Sequence, residues 1–145
     1  CRALLTHLMD TELLYVTRFR RTIAEDKPVF EHWPEDAFLE SRLSRAGPDG
    51  LLMPPGALLA ACHTLRQTMA TVLVQLRPED WDRLALNPYL GETSLRGMVA
   101  YVAWHFEHHA AFLNAKVALM LGPAPDRAAG RGCGAGCGCV DRTDG

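Results

Sequence analysis

The stretch AYVAWHFEHHAAFL, residues 100–113, places His105, His108 and His109 within five positions of a segment that otherwise reads as helix. With His105 set at zero and about 100° per residue, Met98, Val102, Leu95 and Leu113 define an apolar stripe centred near 60°. His109 falls at about 40° and His105 on the shoulder of the stripe, whereas His108 lies about 120° from its centre. His105 and His109 therefore look inward together, one turn apart, and His108 looks out. An i, i+4 pair of inward imidazoles has the spacing of two ligands to one metal ion. Without a metal, each buried ring needs a hydrogen-bond partner or costs about 1–3 kcal/mol. The residues alone leave metal binding and satisfied core histidines both open.

The zinc-protease motif does not apply. It needs Glu directly after the first His, where this chain has Phe106, and Glu107 points away from the stripe. A third ligand has to come from another helix. His7, in LLTHLMDTELL, sits on the border of an apolar face defined by Leu4 and Tyr15, on a polar seam shared with Thr11 and Arg18. Cys62 is followed by His63 at a helix edge, and His32 lies in a loop; both histidines read as solvated or structural. Asp10 and Glu12 are candidates to orient a ligand, although an acidic pair near a helix start more often faces solvent. Arg18, three turns beyond His7 on the same side, suits either an anionic substrate at a pocket mouth or a surface salt bridge, of which the salt bridge is the expectation.

The elements that must position these residues follow from periodicity. Residues 2–24 carry Leu4, Leu8, Tyr15 and Phe19 near a 3.6-residue repeat with neither Pro nor Gly, which predicts a helix. Five prolines and two glycines punctuate residues 26–55, a long connection that should pack over something; PEDAFLESRL within it suits a short helix. A second long helix is predicted over 57–77, then a turn-rich link, RPEDWDRLALNPYLGE. A third, capped by Thr93 or Ser94, runs to about Leu121. No segment alternates with period 2, so no sheet is expected. Residues 123–145, rich in Gly, Ala and Arg, lack the apolar groups to order themselves and read as a disordered tail after a helical domain spanning 1–122. The tail's Cys133, Cys137 and Cys139 lack the CxxC pairs of a zinc module.

The 145 residues are enough for one domain with a core, and the formal net charge of −2 gives no electrostatic case for nucleic acid. No apolar run approaches the roughly 20 residues that span a bilayer. The cysteine placement argues against a disulfide framework, so a cytoplasmic location is expected. The first residues already read as mid-helix, as in an N-terminally incomplete piece of an all-α four-helix bundle that lacks its first helix.

LLTHLMDTELLYVTRFRRTIAED resembles the DinB-like (damage-inducible, YfiT-like) helix reading H-L-x-D-x-E, and PEDWDR…NPYLGETSLRGMVAYVAWHFEHHAAFL resembles that family's last connection and helix, with its H-x3-H. The resemblance covers residues 2–121. It implies a four-helix bundle of up-down-down-up type, often a homodimer, holding one divalent metal (Zn, Ni or Fe) through His7, His105 and His109. The implied activity is metal-dependent transfer of a low-molecular-weight thiol to a small electrophile, or related hydrolysis; a non-catalytic bundle is the alternative. One departure is Phe112, where the family often carries Gln. Such a site would keep a coordination position open, lowering the pKa of a bound thiol from about 8.5 or of water toward about 7.

Overall fold

The computed structural model describes residues 2–41 and 53–122. Its helices are α1 (Arg2–Ala24), α2 (Glu35–Glu40), α3 (Pro55–Leu73) and α4 (Leu95–Leu121). The four helices place the chain in the all-α, four-helix class. The first and last long helices fall where periodicity puts them. The second starts two residues early and ends four early. Pro55 occupies its first turn, where a missing N–H costs nothing. The PEDAFLESRL segment forms only the six residues of α2, with Glu35 and Asp36 in the first turn, where acidic side chains favour the helix N-terminus. Among the described residues, no helix is long and apolar enough to cross a membrane.

The expectation of no sheet is corrected. A short 3-10 turn (Pro78–Asp82) leads into an antiparallel hairpin of β1 (Leu84–Asn87) and β2 (Gly91–Ser94), with Leu84 opposite Ser94 and Asn87 opposite Gly91. Four-residue strands are too short for alternation to show in sequence. What makes the hairpin is its turn: Asn87 Oδ1 accepts from the Tyr89 and Leu90 amides, and Gly91 takes a positive φ of 69°. The loop after α1 joins the hairpin edge through Phe30 N to Leu86 O and Leu86 N to Pro28 O, both 2.9 Å.

The core gathers Tyr15 and Phe19 of α1, Phe30, Met69 of α3, Ala85 of β1, and Leu95, Met98 and Val102 of α4. Arg83 closes the end of α1, donating to the Thr22 and Glu25 carbonyls at 2.7 and 2.6 Å, where unpaired helix carbonyls favour a cation. At the start of α4, Ser94 Oγ accepts from the Gly97 amide at 3.1 Å, so Ser94 rather than Thr93 is the cap. Ser94→Ala is expected to cost about 1 kcal/mol in urea unfolding, while Thr93→Ala costs less.

Packing divides the chain into Cys1–Ala111, which contains the core and the candidate site, and Phe112–Gly145. In the second unit the described residues are the last turns of α4, where the Lys116 ammonium lies 4.4 Å from the centre of the Phe112 ring. The expected tail from residue 123, with Cys133, Cys137 and Cys139, lies outside the described residues, as does the middle of the long connection, residues 42–52.

Candidate metal centre

Two helices supply three imidazoles to one point. His105 Nε2 lies 3.1 Å from His7 Nε2 and 3.1 Å from His109 Nε2. The rings meet edge-on, with centroids 4.5–5.0 Å apart and interplanar angles of 73–88°. α4 provides the i, i+4 pair, and α1 presents His7 across from it. His108 is exposed and stacks on Trp104, as its helical angle predicts.

Linear hydrogen bonds cannot satisfy both of these 3.1 Å contacts at once. A neutral imidazole nitrogen either donates one proton or accepts one. His105 Nε2 has one proton or one lone pair to offer and two like neighbours, so only one of the two contacts can be a linear hydrogen bond. A cation at the centre resolves both contacts, because all three nitrogens then present lone pairs to it. Metal–nitrogen bonds of about 2.0–2.1 Å at tetrahedral angles separate donor atoms by about 3.3 Å, close to the spacing present. The donor set fits a divalent ion that accepts imidazole.

Protonation states agree. Burial, then the neighbouring imidazoles of His109, His7 and His108, push His105 down to about 4. His109 is lowered too, by burial first and by His7 and His108, with Glu35 opposing. Both rings thus stay neutral, the ligating form, to lower pH than a free histidine.

A carboxylate behind a ligand fixes its tautomer, and here it comes from an unexpected place. His7 Nδ1 is 3.0 Å from Glu35 Oε1, which holds the proton on Nδ1 and turns Nε2 toward the other rings. Sequence reading singled out Asp10 and Glu12 for this role and missed Glu35. The only sequence signal was Pro34-Glu35-Asp36 as a helix start, and nothing local ties it to His7, 28 positions earlier. Glu35→Gln is expected to weaken metal binding about 10–100-fold by competition with a chelator, without a comparable loss of fold stability. His105 Nδ1, by contrast, is buried without a protein partner.

Three other sequence readings need correction or completion. Glu12 does not face solvent: it is 4% exposed and paired with Arg66 of α3, whose Nε donates to Glu12 Oε1 at 2.8 Å and whose guanidinium lies 3.7 Å from the centre of the Phe106 ring. Burial raises the Glu12 carboxyl, and Arg66 works against that rise. Asp10 is half-buried and raised, by burial first with His7 opposing. Arg18 is not on the surface and has no salt bridge among the described residues: it is 4% exposed, and its Nη2 donates to the Glu31 carbonyl at 3.2 Å. His32 is exposed beside the Tyr89 ring, and His63 is exposed on α3.

The rings of His7 and His105 open onto a cavity of about 100 Å³ walled by Trp33, Tyr89, Tyr101, Tyr15 and Arg18. Tyr101 stacks on His105, with centroids 5.9 Å apart and planes 15° apart, which braces the ring. A larger apolar groove of about 190 Å³ runs past Phe19, Met69, Leu73 and Val102. Among the described residues no histidine lines it, so the candidate site is the smaller cavity.

Three comparisons bear on this site. The chain is 25% identical over 113 residues, 78% of its length, to a curated protein of Oceanobacillus iheyensis named as a candidate metal-dependent hydrolase. It spans 62% of that relative's length. The fold matches a solved structure of YfiT from Bacillus subtilis with a TM-score of 0.72 at 22% identity, covering 85% of this chain and 67% of that one. YfiT is described as a candidate metal-dependent hydrolase with an unusual four-helix bundle topology. The family description "DinB superfamily" matches residues 1–113, the stretch that carries both histidine-bearing helices through His109. By its sequence, its fold and the span of that match, the chain belongs to the DinB superfamily.

Proposed function

We propose that His7, His105 and His109 hold one divalent metal ion and that the protein is a metal-dependent enzyme acting on a small molecule. The observation that carries this reading is the convergence of three Nε2 atoms, two of them 3.1 Å from the third, which one proton or one lone pair cannot satisfy together. Three neutral ligands leave the ion its full charge and an open coordination position, which supplies Lewis-acid chemistry able to lower the pKa of a thiol or of water. The chain's own groups do the rest. Glu35 keeps the proton on His7 Nδ1, Tyr101 braces the His105 ring, and Trp33 and Tyr89 narrow the cavity against bulk water.

The group activated there, in this reading, is a low-molecular-weight thiol, transferred to a small electrophile by a homodimer. A second reading, hydrolysis by activated water, is favoured by the names of the two relatives. Cobalt substitution separates them. If the thiol reading holds, adding cysteine to the cobalt-loaded protein produces a saturable thiolate-to-cobalt charge-transfer band. Ester or amide cleavage without any thiol, and no such band, replaces it with hydrolysis. Wild-type protein that takes up no stoichiometric metal removes both and leaves a non-catalytic bundle.

A further inference from the structure

Among the described residues, Arg18 is a buried cation with no anion paired to it. It is 4% exposed, and among the described residues no carboxylate lies within ion-pair distance of it. Among the described residues its hydrogen bond goes to a neutral oxygen, the Glu31 carbonyl at 3.2 Å. Its guanidinium carbon lies 5.4 Å from the Tyr15 ring centre and 5.2 Å from that of Phe30. Aromatic faces hold a guanidinium in place without neutralising it. The other buried charge on this helix, Glu12, has a full ionic partner in Arg66. Desolvating a guanidinium without a counter-ion is unfavourable, and the group lines the same cavity as His7 and His105.

We propose that Arg18 is the carboxylate-binding group of this cavity, so that the site takes a small molecule with a carboxylate at one end and an apolar or aromatic body reaching toward the histidines. The assignment deepens the proposed function and rests on it for which end of the ligand reacts. The charge of one guanidinium matches a monoanion, and its fork accepts a carboxylate in two parallel hydrogen bonds. A phosphate dianion calls for more cations or a cradle of amides, and among the described residues the cavity lining contains no second Arg or Lys. Arg18 lies eleven residues after His7, about 16 Å along the helix from Cα to Cα. Its side chain leans back toward the helix N-terminus and so toward His7. Tyr15, Trp33, Tyr89 and Tyr101 wall the space between, which suits an apolar middle.

The test is calorimetric titration of the full chain, both zinc-loaded and stripped with EDTA. The probes are 3-phenylpropanoate, its neutral amide, and inorganic phosphate. The stripped arm excludes binding of the carboxylate to the metal. The expected result there is acid bound at least tenfold more tightly than amide, and phosphate bound weakly. Arg18→Met should bring the acid down to the amide, and Arg18→Lys should keep part of the preference. If Arg18→Met does not fold, the comparison of acid with amide in the stripped wild type decides. Equal binding of the two, no binding of either, or an unchanged preference in Arg18→Met overturns the proposal, and phosphate bound more tightly than the acid overturns the choice of carboxylate. A chain that holds zinc but shows no acid preference sinks this inference alone. A chain that prefers the acid but takes up no metal sinks the metal reading alone.

Discussion

Replacing His105 with alanine is expected to take the protein from one bound divalent ion per chain to none, with affinity reduced more than about 100-fold, beyond the loss from removing an outer partner. His105 is the vertex of the cluster, since its Nε2 is within 3.1 Å of both other donors. Its loss leaves only two imidazoles, His7 and His109, on different helices. His109→Ala should behave similarly, and His108→Ala should bind like wild type because its exposed ring stacks on Trp104. Metal analysis after dialysis, combined with thermal unfolding, checks all three. A ligand that binds only the native state stabilises it by about 2.7 kcal/mol at a hundred times its Kd. Added zinc should therefore raise Tm for wild type and His108→Ala but not for the other two. The pH profile follows from the same rings. His105 ionises near 4 and His109 below its ordinary value, so between these values and 6.5 both stay neutral in the folded chain. As far as these two ligands decide it, metal binding should persist below pH 6.5 and fail as pH drops toward 4. Metal lost already at pH 6.5 would contradict this placement of the rings.

Arg66→Met should destabilise the fold by about 2–3 kcal/mol, visible as a Tm lowered by roughly 5–10 °C. Glu12 is buried in α1 and its ionic partner is Arg66 of α3, itself half-exposed and lying over Phe106 of α4. One guanidinium thus ties three helices together, and removing it strands a desolvated carboxylate. The pH dependence carries a definite sign. Burial raises the folded Glu12 pKa above 4.5, so the folded chain binds more protons than the unfolded one just above that pH. Stability assigned to Glu12 therefore rises as pH falls through that window. With Arg66 gone its opposing effect vanishes, so the variant should recover more of its deficit between pH 7 and 5 than wild type gains. The double variant Glu12→Leu, Arg66→Leu should return to within about 1 kcal/mol of wild type, because an apolar pair of similar volume needs no desolvation of charge. Urea unfolding of wild type, Arg66→Met and the double variant measures this. A double variant as unstable as Arg66→Met would mean that the pair is not what joins the helices.

How far the site can be read in the chain depends on range. The direction of His105 and His109, and the turning away of His108, follow from 100° per residue, because an α-helix carries its side chains rigidly around its axis. The Ser94 cap and the bounds of α1 and α4 are legible for a related reason: each is decided within four residues. The hairpin from Leu84 to Ser94 escaped because its strands are four residues each and their pairing is set by the Asn87 side chain and the loop edge at Pro28 and Phe30.

Glu12, Arg18 and Glu35 show the other limit. Glu12 and Arg18 read as surface charges because charged side chains are usually solvated, yet α3 covers one and the post-α1 loop covers the other. Glu35 read as a helix start, and its carboxylate sits against His7 Nδ1. Periodicity alone determined which faces of which helices carry imidazole, and the family resemblance named His7 as their partner. Only the packing of α1 against α4 and the folding back of α2 decided that three lone pairs share one point, that a carboxylate stands behind one of them, and that an unmatched cation faces the same cavity. A helix fixes directions over a turn or two, whereas burial and charge pairing depend on residues tens of positions away, which no local pattern records.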